Sequence, residues 1–255
     1  SKAVALGWDS GVVTWAEIAD AAVRGDLRFG MTNPAASNSG FTALVGVASA
    51  LAGTADALEA DEVPTEELTR FFSGLALTSG SSGWLADAYV ENEATLDGLV
   101  NYESVLLSLN ERRLVSEQLT VIYPSEGIVT ADYPLMLIDG EDREAYDEVV
   151  AWFREAGNQE TVMAETLRRP AIPGVALDAR IPDAVLVELP FPRSLNVIDA
   201  LLFSYLDEQR APSHAIYVLD RSGSMEGQPL AALQAALVNL TGTDESVAGR
   251  FARFR

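Results

Sequence analysis

Three oxygen-bearing side chains stand at alternate positions in LDRSGSMEG (219–227): Asp220, Ser222 and Ser224. One carboxylate and two hydroxyls are hard, oxygen-only donors, a set suited to Mg²⁺ or Mn²⁺ rather than to a soft transition metal. They follow the apolar run 215–219, which reads as a buried strand. They precede PLAALQAALVNL (229–240), which reads as a helix with Pro229 at its first position. Strand, oxygen-rich turn and helix together present an open cation site. The competing reading is a turn whose Asp220 and serines only cap the helix.

A second group with chemistry lies in TNPAASNSGF (32–41), where Ser37, Asn38, Ser39 and Gly40 open an apolar helix. The first turn of a helix carries about four unbonded N–H groups and a partial positive charge, which makes it an anion cradle. Serine and asparagine are also the commonest plain N-caps, so both readings stand on these residues alone.

Other chemistries are poorly supplied. There is no cysteine, so neither a thiolate metal site nor a disulfide framework is available. The lone His214 sits at a strand start and reads as a surface or edge residue, not a catalytic base. SGSMEG lacks the G-x-S-x-G spacing of a nucleophile elbow. With 38 acidic against 17 basic residues the formal net charge is −21, which repels a phosphate backbone and argues against nucleic acid as a partner. Lys2 is the only lysine, which together with the many alanines points to a GC-rich coding sequence. No run reaches the roughly 18 apolar residues of a membrane span, and no signal peptide opens the sequence.

The elements that must position these residues alternate in period. TWAE (14–17) is a capping box, and Trp15, Ile18, Ala19, Ala22 and Val23 keep helical spacing up to Gly25. LRFGM (27–31) is expected as a strand and FTALVGVASALAG (41–53) as a helix closed by Gly53. Further helices are expected at 65–77, near 95–110, at 142–157 with Tyr146, Val149, Val150 and Phe153 on one face, and at 194–210. The last carries Leu195, Ile198, Leu201, Leu202 and Tyr205 on its apolar face behind a Ser194 cap. LTVIY (119–123) is expected as a strand, TSGSSG (78–83) as a surface loop, and the proline-punctuated stretch 168–194 as a packed, extended connection. The switching period predicts an α/β fold.

Two resemblances sharpen the reading. The block VTWAEIADAAVRGDLRFGMTNPAASNSGFTALVGVASALAG, with VNYESVLLSLNE (100–111) and VIYPSEGIVTADYPLMLID (121–139), resembles the second lobe of periplasmic solute-binding proteins of ABC importers over roughly residues 10–180. The resemblance implies a periplasmic-binding-protein-like lobe in which Ser37 and Ser39 contact ligand and Tyr102, Glu103, Tyr123 and Glu126 face the cleft. Glu103 and Glu126 leave the ligand class open. IYVLDRSGSMEGQPLAALQAAL is similar to the start of a von Willebrand factor A domain and its metal-ion-dependent adhesion site. That likeness implies a truncated Rossmann-like segment in which Asp220, Ser222 and Ser224 are metal ligands. A threonine and an aspartate from later loops complete such a site, and a partner's carboxylate takes the last position.

The expected organisation is a solute-binding-like module over 1–190, followed over 191–255 by a connecting helix and the start of the A domain. The chain reads as an internal piece of a longer protein, opening at Ser1 without methionine and stopping within RFARFR. The function expected is non-enzymatic binding or adhesion at the cell surface or outside the cell. Mg²⁺ or Mn²⁺ is expected in the complete A domain, a protein partner through that domain, and a small solute or oxyanion in the lobe. The alternatives are the solute receptor of an ABC importer and a cytosolic, metal-linked assembly factor.

Overall fold

The computed structural model describes residues 2–54, 56–138, 142–211 and 216–238. The elements run in the order α1 (Lys2–Leu6), α2 (Trp15–Val23), β1 (Phe29–Thr32), α3 (Asn38–Ala52), α4 (Thr65–Phe72), β2 (Leu75–Ser79), α5 (Ser82–Glu91), β3 (Gly98–Val100) and α6 (Glu103–Glu111). They continue with α7 (Arg143–Phe153), α8 (Ala156–Thr166), α9 (Leu195–Ser204) and α10 (Gln228–Val238). The fold is mixed α/β around a small parallel sheet in the order β2-β1-β3.

Local chemistry accounts for the first half. Thr14 Oγ1 accepts from the Glu17 N–H at 3.0 Å while Glu17 Oε2 accepts from the Thr14 N–H at 2.9 Å, the reciprocal capping box that starts α2. All four residues of β1 are buried, as befits a central strand covered on both faces. Phe29 pairs with Leu75 on one side and Gly98 on the other. α3 lies so close to β1 that a Cβ on Gly40 would stand 2.3 Å from the Thr32 carbonyl oxygen. Gly53, at φ 66°, ends α3 in the left-handed conformation that glycine adopts without strain.

The core is built on a chain of aromatic rings that meet edge to face or tilted. Phe71 lies 4.9 Å from Phe29 and 5.9 Å from Trp15 between centroids, and Phe72 continues the chain to Tyr205 at 4.9 Å. Tyr205 belongs to a single π-helical turn at Tyr205–Gln209 that extends α9. α9 buries Val197, Leu201 and Leu202 in the same core, so the helix expected to connect two modules packs into the first. Its buried stripe is set by Val197, whereas Leu195 is exposed. A smaller cluster joins Leu107, Met163, Leu167 and Ile181.

Several sequence expectations need correction. The helix over 65–77 stops at Phe72, because a Cβ on Gly74 would stand 2.7 Å from the Ala22 Cβ and its carbonyl accepts from the Phe29 N–H at 2.9 Å. The chain then enters β2, which helical spacing had concealed. Residues 78–83 are not a loop throughout. Thr78 and Ser79 end β2, and Ser81 caps α5 by accepting from the Trp84 N–H at 3.3 Å. The stretch near 95–110 divides into β3 and α6.

Residues 119–123 form no strand, for the Asn110 side chain takes both backbone groups of Leu119, at 2.7 and 2.9 Å. The face of α7 is not buried, and Val149 and Phe153 stand exposed. The stretch 168–194 forms neither helix nor ladder strand but includes turns at 171–174 and 179–181, and it is anchored by buried Ile181 and Leu189 while Val185 projects outward. The apolar run 215–219 is not a buried strand over its described residues: Ile216 and Val218 are 90% and 92% exposed, and no ladder forms there. His214, Ala215 and RFARFR lie outside the described residues.

Candidate functional site

Parallel strands release their chain at one end of a sheet, and crevices at those carboxyl ends are where open α/β sheets take ligands. A cleft of about 1420 Å³ runs along this side of the sheet, from Asp97 and Lys2 to the carboxyl ends, where it is lined among others by Ser39, Asn101, Tyr102, Glu103, Tyr123 and Arg169. β1 delivers Thr32 and, after a turn, Ser39 at the start of α3. β3 delivers Asn101, Tyr102 and Glu103 at the start of α6.

The serines of α3 are tied to one another. Ser39 Oγ lies 2.8 Å from Thr32 Oγ1 and 3.1 Å from Ser37 Oγ, with Thr32 and Ser39 both buried. Ser37 holds the N-cap position, yet its side chain makes no capping bond. Asn38 links α3 to the start of α6, its Nδ2 donating to the Tyr102 hydroxyl at 3.1 Å. At Gly40 the close approach to Thr32 leaves no room for a Cβ.

On the facing wall Arg169 grips Glu103 in a bidentate pair, Nε to Oε2 and Nη2 to Oε1, each at 2.9 Å. The Tyr123 hydroxyl donates to the same carboxylate. Burial, then the hydrogen bond and negative charge of Glu103, push the Tyr123 phenol well above its ordinary range. The bond to Glu103 likewise raises the Arg169 guanidinium, so the pair is fixed as an ion pair.

Glu126 is turned elsewhere. Its Oε1 accepts from the Trp15 N–H at 2.9 Å, at the N-terminus of α2, where an anion offsets an otherwise unbonded donor. Beside it Gly127, at φ 125°, lets the chain pass Val187, whose carbonyl oxygen would stand 2.6 Å from a Cβ. Of the sequence-predicted cleft residues, Ser39, Tyr102, Glu103 and Tyr123 line the cleft, and Ser37 and Asn38 adjoin it through Ser39 and Tyr102. It sets Gly40 and Glu126 to packing and capping. Sequence reasoning missed Thr32 and Arg169. The Arg-Arg-Pro sequence at 168–170 was the available signal for the second.

The oxygen turn lies apart from the cleft and in solvent. Asp220 Oδ1 accepts from the Ser222 N–H at 2.8 Å, and this bond holds the carboxyl below its usual range. Ser222 Oγ and Ser224 Oγ are 2.8 Å apart. Ligand oxygens in adjacent corners of an Mg²⁺ octahedron, with bonds of about 2.1 Å, are about 3.0 Å apart, so the two hydroxyls fit neighbouring positions. Among the described residues no group of three or more His, Cys, Asp or Glu is placed to hold a metal ion. No helix among them is long and apolar enough to cross a membrane. No protein-family model matches the chain, and neither does any curated protein or solved structure.

Proposed function

We propose that the chain is a non-enzymatic binding protein whose α/β unit is a periplasmic-binding-protein-like lobe taking a small solute at the crevice between α3 and α6. The observation that carries this reading is the position of the cleft: two of the wall segments that bring polar side chains into it, those carrying Ser39 and Asn101–Glu103, leave the carboxyl ends of adjacent parallel strands. Catalysis is disfavoured by how the titratable groups are set. Glu103, Arg169 and Tyr123 are locked to one another, and Tyr123 is moved away from neutrality rather than toward it.

In the same proposal residues 216–238 begin a von Willebrand A module at the cell surface or outside the cell. Asp220, Ser222 and Ser224 would hold Mg²⁺ or Mn²⁺ there once later loops add their ligands. The metal would supply a Lewis-acid position for a carboxylate of a protein partner. The spacing of the two serine hydroxyls supports this assignment.

The test is a thermal-shift panel of sugars, amines, amino acids and inorganic anions. A bound solute at 100 times its Kd adds about 2.7 kcal/mol, which raises the Tm of a chain this size by roughly 5–10 °C. Tyr102→Ala, which removes a cleft wall, should abolish the shift. A flat response across the whole panel would overturn the reading.

A further inference from the structure

The donors and acceptors in the cleft are unequally used, and the imbalance points to the charge of the solute. A carboxylate offers about four lone-pair sites, and Glu103 already accepts from Arg169 Nε, Arg169 Nη2 and the Tyr123 hydroxyl. It has little left for a cation. Arg169 carries five N–H donors, of which Nε and Nη2 are spent on Glu103 and on the Pro182 carbonyl at 2.8 Å. Beyond these its remaining neighbour is Tyr123, and among the described residues its Nη1 is bonded to no carbonyl or carboxylate oxygen.

The neighbouring Arg168 is freer still. Its guanidinium lies over the Tyr133 ring, 4.3 Å from the centroid, and Nη2 donates to the Tyr133 hydroxyl at 3.2 Å. Among the described residues it has no carboxylate partner. Stacking on an aromatic face holds a guanidinium in place without consuming its in-plane donors or neutralising its charge. Three arginines, Arg154, Arg168 and Arg169, line the cleft beside two carboxylates, Asp132 and the already occupied Glu103. The cleft's other carboxylates gather near Tyr89, where Asp97 pairs with Lys2 at 3.3 Å and Glu93 accepts from the Ser116 N–H.

The chain turns out of α8 immediately before two of these arginines, Arg168 and Arg169. Leu167, which closes α8, adopts the left-handed region at φ 56°, a conformation costly for a residue with a Cβ. It is held there by burial of its side chain against Leu107, Met163 and Ile181. Strain at a non-glycine residue persists where the surroundings over-determine it, and such positions cluster at ligand clamps. The next two residues enter the cleft.

We infer that the solute is an anion whose oxyanionic group, a carboxylate, phosphate or sulfate, is bound by the unused N–H donors of Arg168 and Arg169. Glu103 acts as the positioning residue that fixes the Arg169 fork. The inference rests on the solute-binding reading and narrows it. Isothermal titration with malonate, inorganic phosphate, sulfate, glucose and putrescine tests it on the full chain and on Arg168→Ala and Arg169→Lys. Circular dichroism and melting curves show that each variant is folded.

At least one anion should bind saturably, malonate marking a planar carboxylate and phosphate or sulfate a tetrahedral group. Each variant should weaken that binding at least tenfold, while glucose and putrescine give no heat. Anion binding unchanged in folded Arg168→Ala and Arg169→Lys overturns the inference. Binding of glucose or putrescine alone overturns it too, while leaving the solute-binding reading intact. Silence from all five probes removes the inference, and only a flat thermal-shift panel removes the broader reading with it.

Discussion

Arg169 and Glu103, 66 positions apart, meet in two parallel N–H···O bonds of 2.9 Å that join the start of α6 to the chain leaving α8. Their side chains are 24% and 19% exposed, so the pair is neither fully screened by water nor fully desolvated. Arg169→Ala would leave a half-buried carboxylate with the Tyr123 hydroxyl as its remaining partner. A loss of about 2 kcal/mol is expected, read from urea unfolding, with Glu103→Gln costing less because the amide oxygen still accepts one of the two Arg169 bonds. An unchanged midpoint for Arg169→Ala would show that the pair contributes nothing to stability.

The raised Tyr123 phenol makes a statement about alkaline stability. The unfolded chain releases this proton near the ordinary tyrosine value of about 10, whereas the folded chain keeps it to higher pH. The stabilisation is therefore complete below about pH 10 and is lost as pH rises through the folded value. Burial raises Tyr89 and Tyr205 in the same direction. Melting temperature should fall steeply above about pH 10, and Tyr123→Phe should fall less steeply than the parent.

Gly40 and Gly157 should respond to alanine with opposite signs. In an ordinary helix alanine gains up to about 1 kcal/mol over glycine, and the space around Gly157 in α8 is open. At Gly40 the new methyl would meet backbone atoms of Thr32 at 2.3 and 2.9 Å, which no rotamer change relieves. Gly40→Ala is expected to cost about 1–3 kcal/mol or more. Paired denaturation curves decide, and stabilisation by Gly40→Ala would mean that α3 and β1 do not lie this close.

The oxygen turn should bind Mg²⁺ only weakly in this chain. Asp220, Ser222 and Ser224 supply three of the six oxygens that Mg²⁺ takes in an octahedron, and all three residues are exposed. Calorimetric titration should show no saturation below roughly millimolar Mg²⁺, and the weak signal should disappear in Asp220→Ala. Tight binding by the present chain would show that ligands from elsewhere complete the site.

What the sequence determined by itself is what short-range chemistry encodes. The Thr14–Glu17 capping box, the glycine that closes α3, the Ser194 cap of α9 and the apolar run at β1 each involve residues within a turn of one another. Their physics is already present in the unfolded chain. The residues gathered around the α3 N-terminus were legible for the same reason.

Tertiary structure alone decided the rest. β2 carried the same apolar spacing as the helix before it, and only the contacts of Gly74 with Leu27 and Ala22 ended that helix and laid the next five residues beside β1. The run 119–123 had the composition of a strand but met an asparagine side chain instead of a neighbouring strand. Glu126 and Glu103 were alike as sequence, yet one reached a helix N-terminus 111 positions away and the other an arginine. A carboxylate's role depends on which donor it meets across the fold, and residue type and local spacing carry no record of that partner.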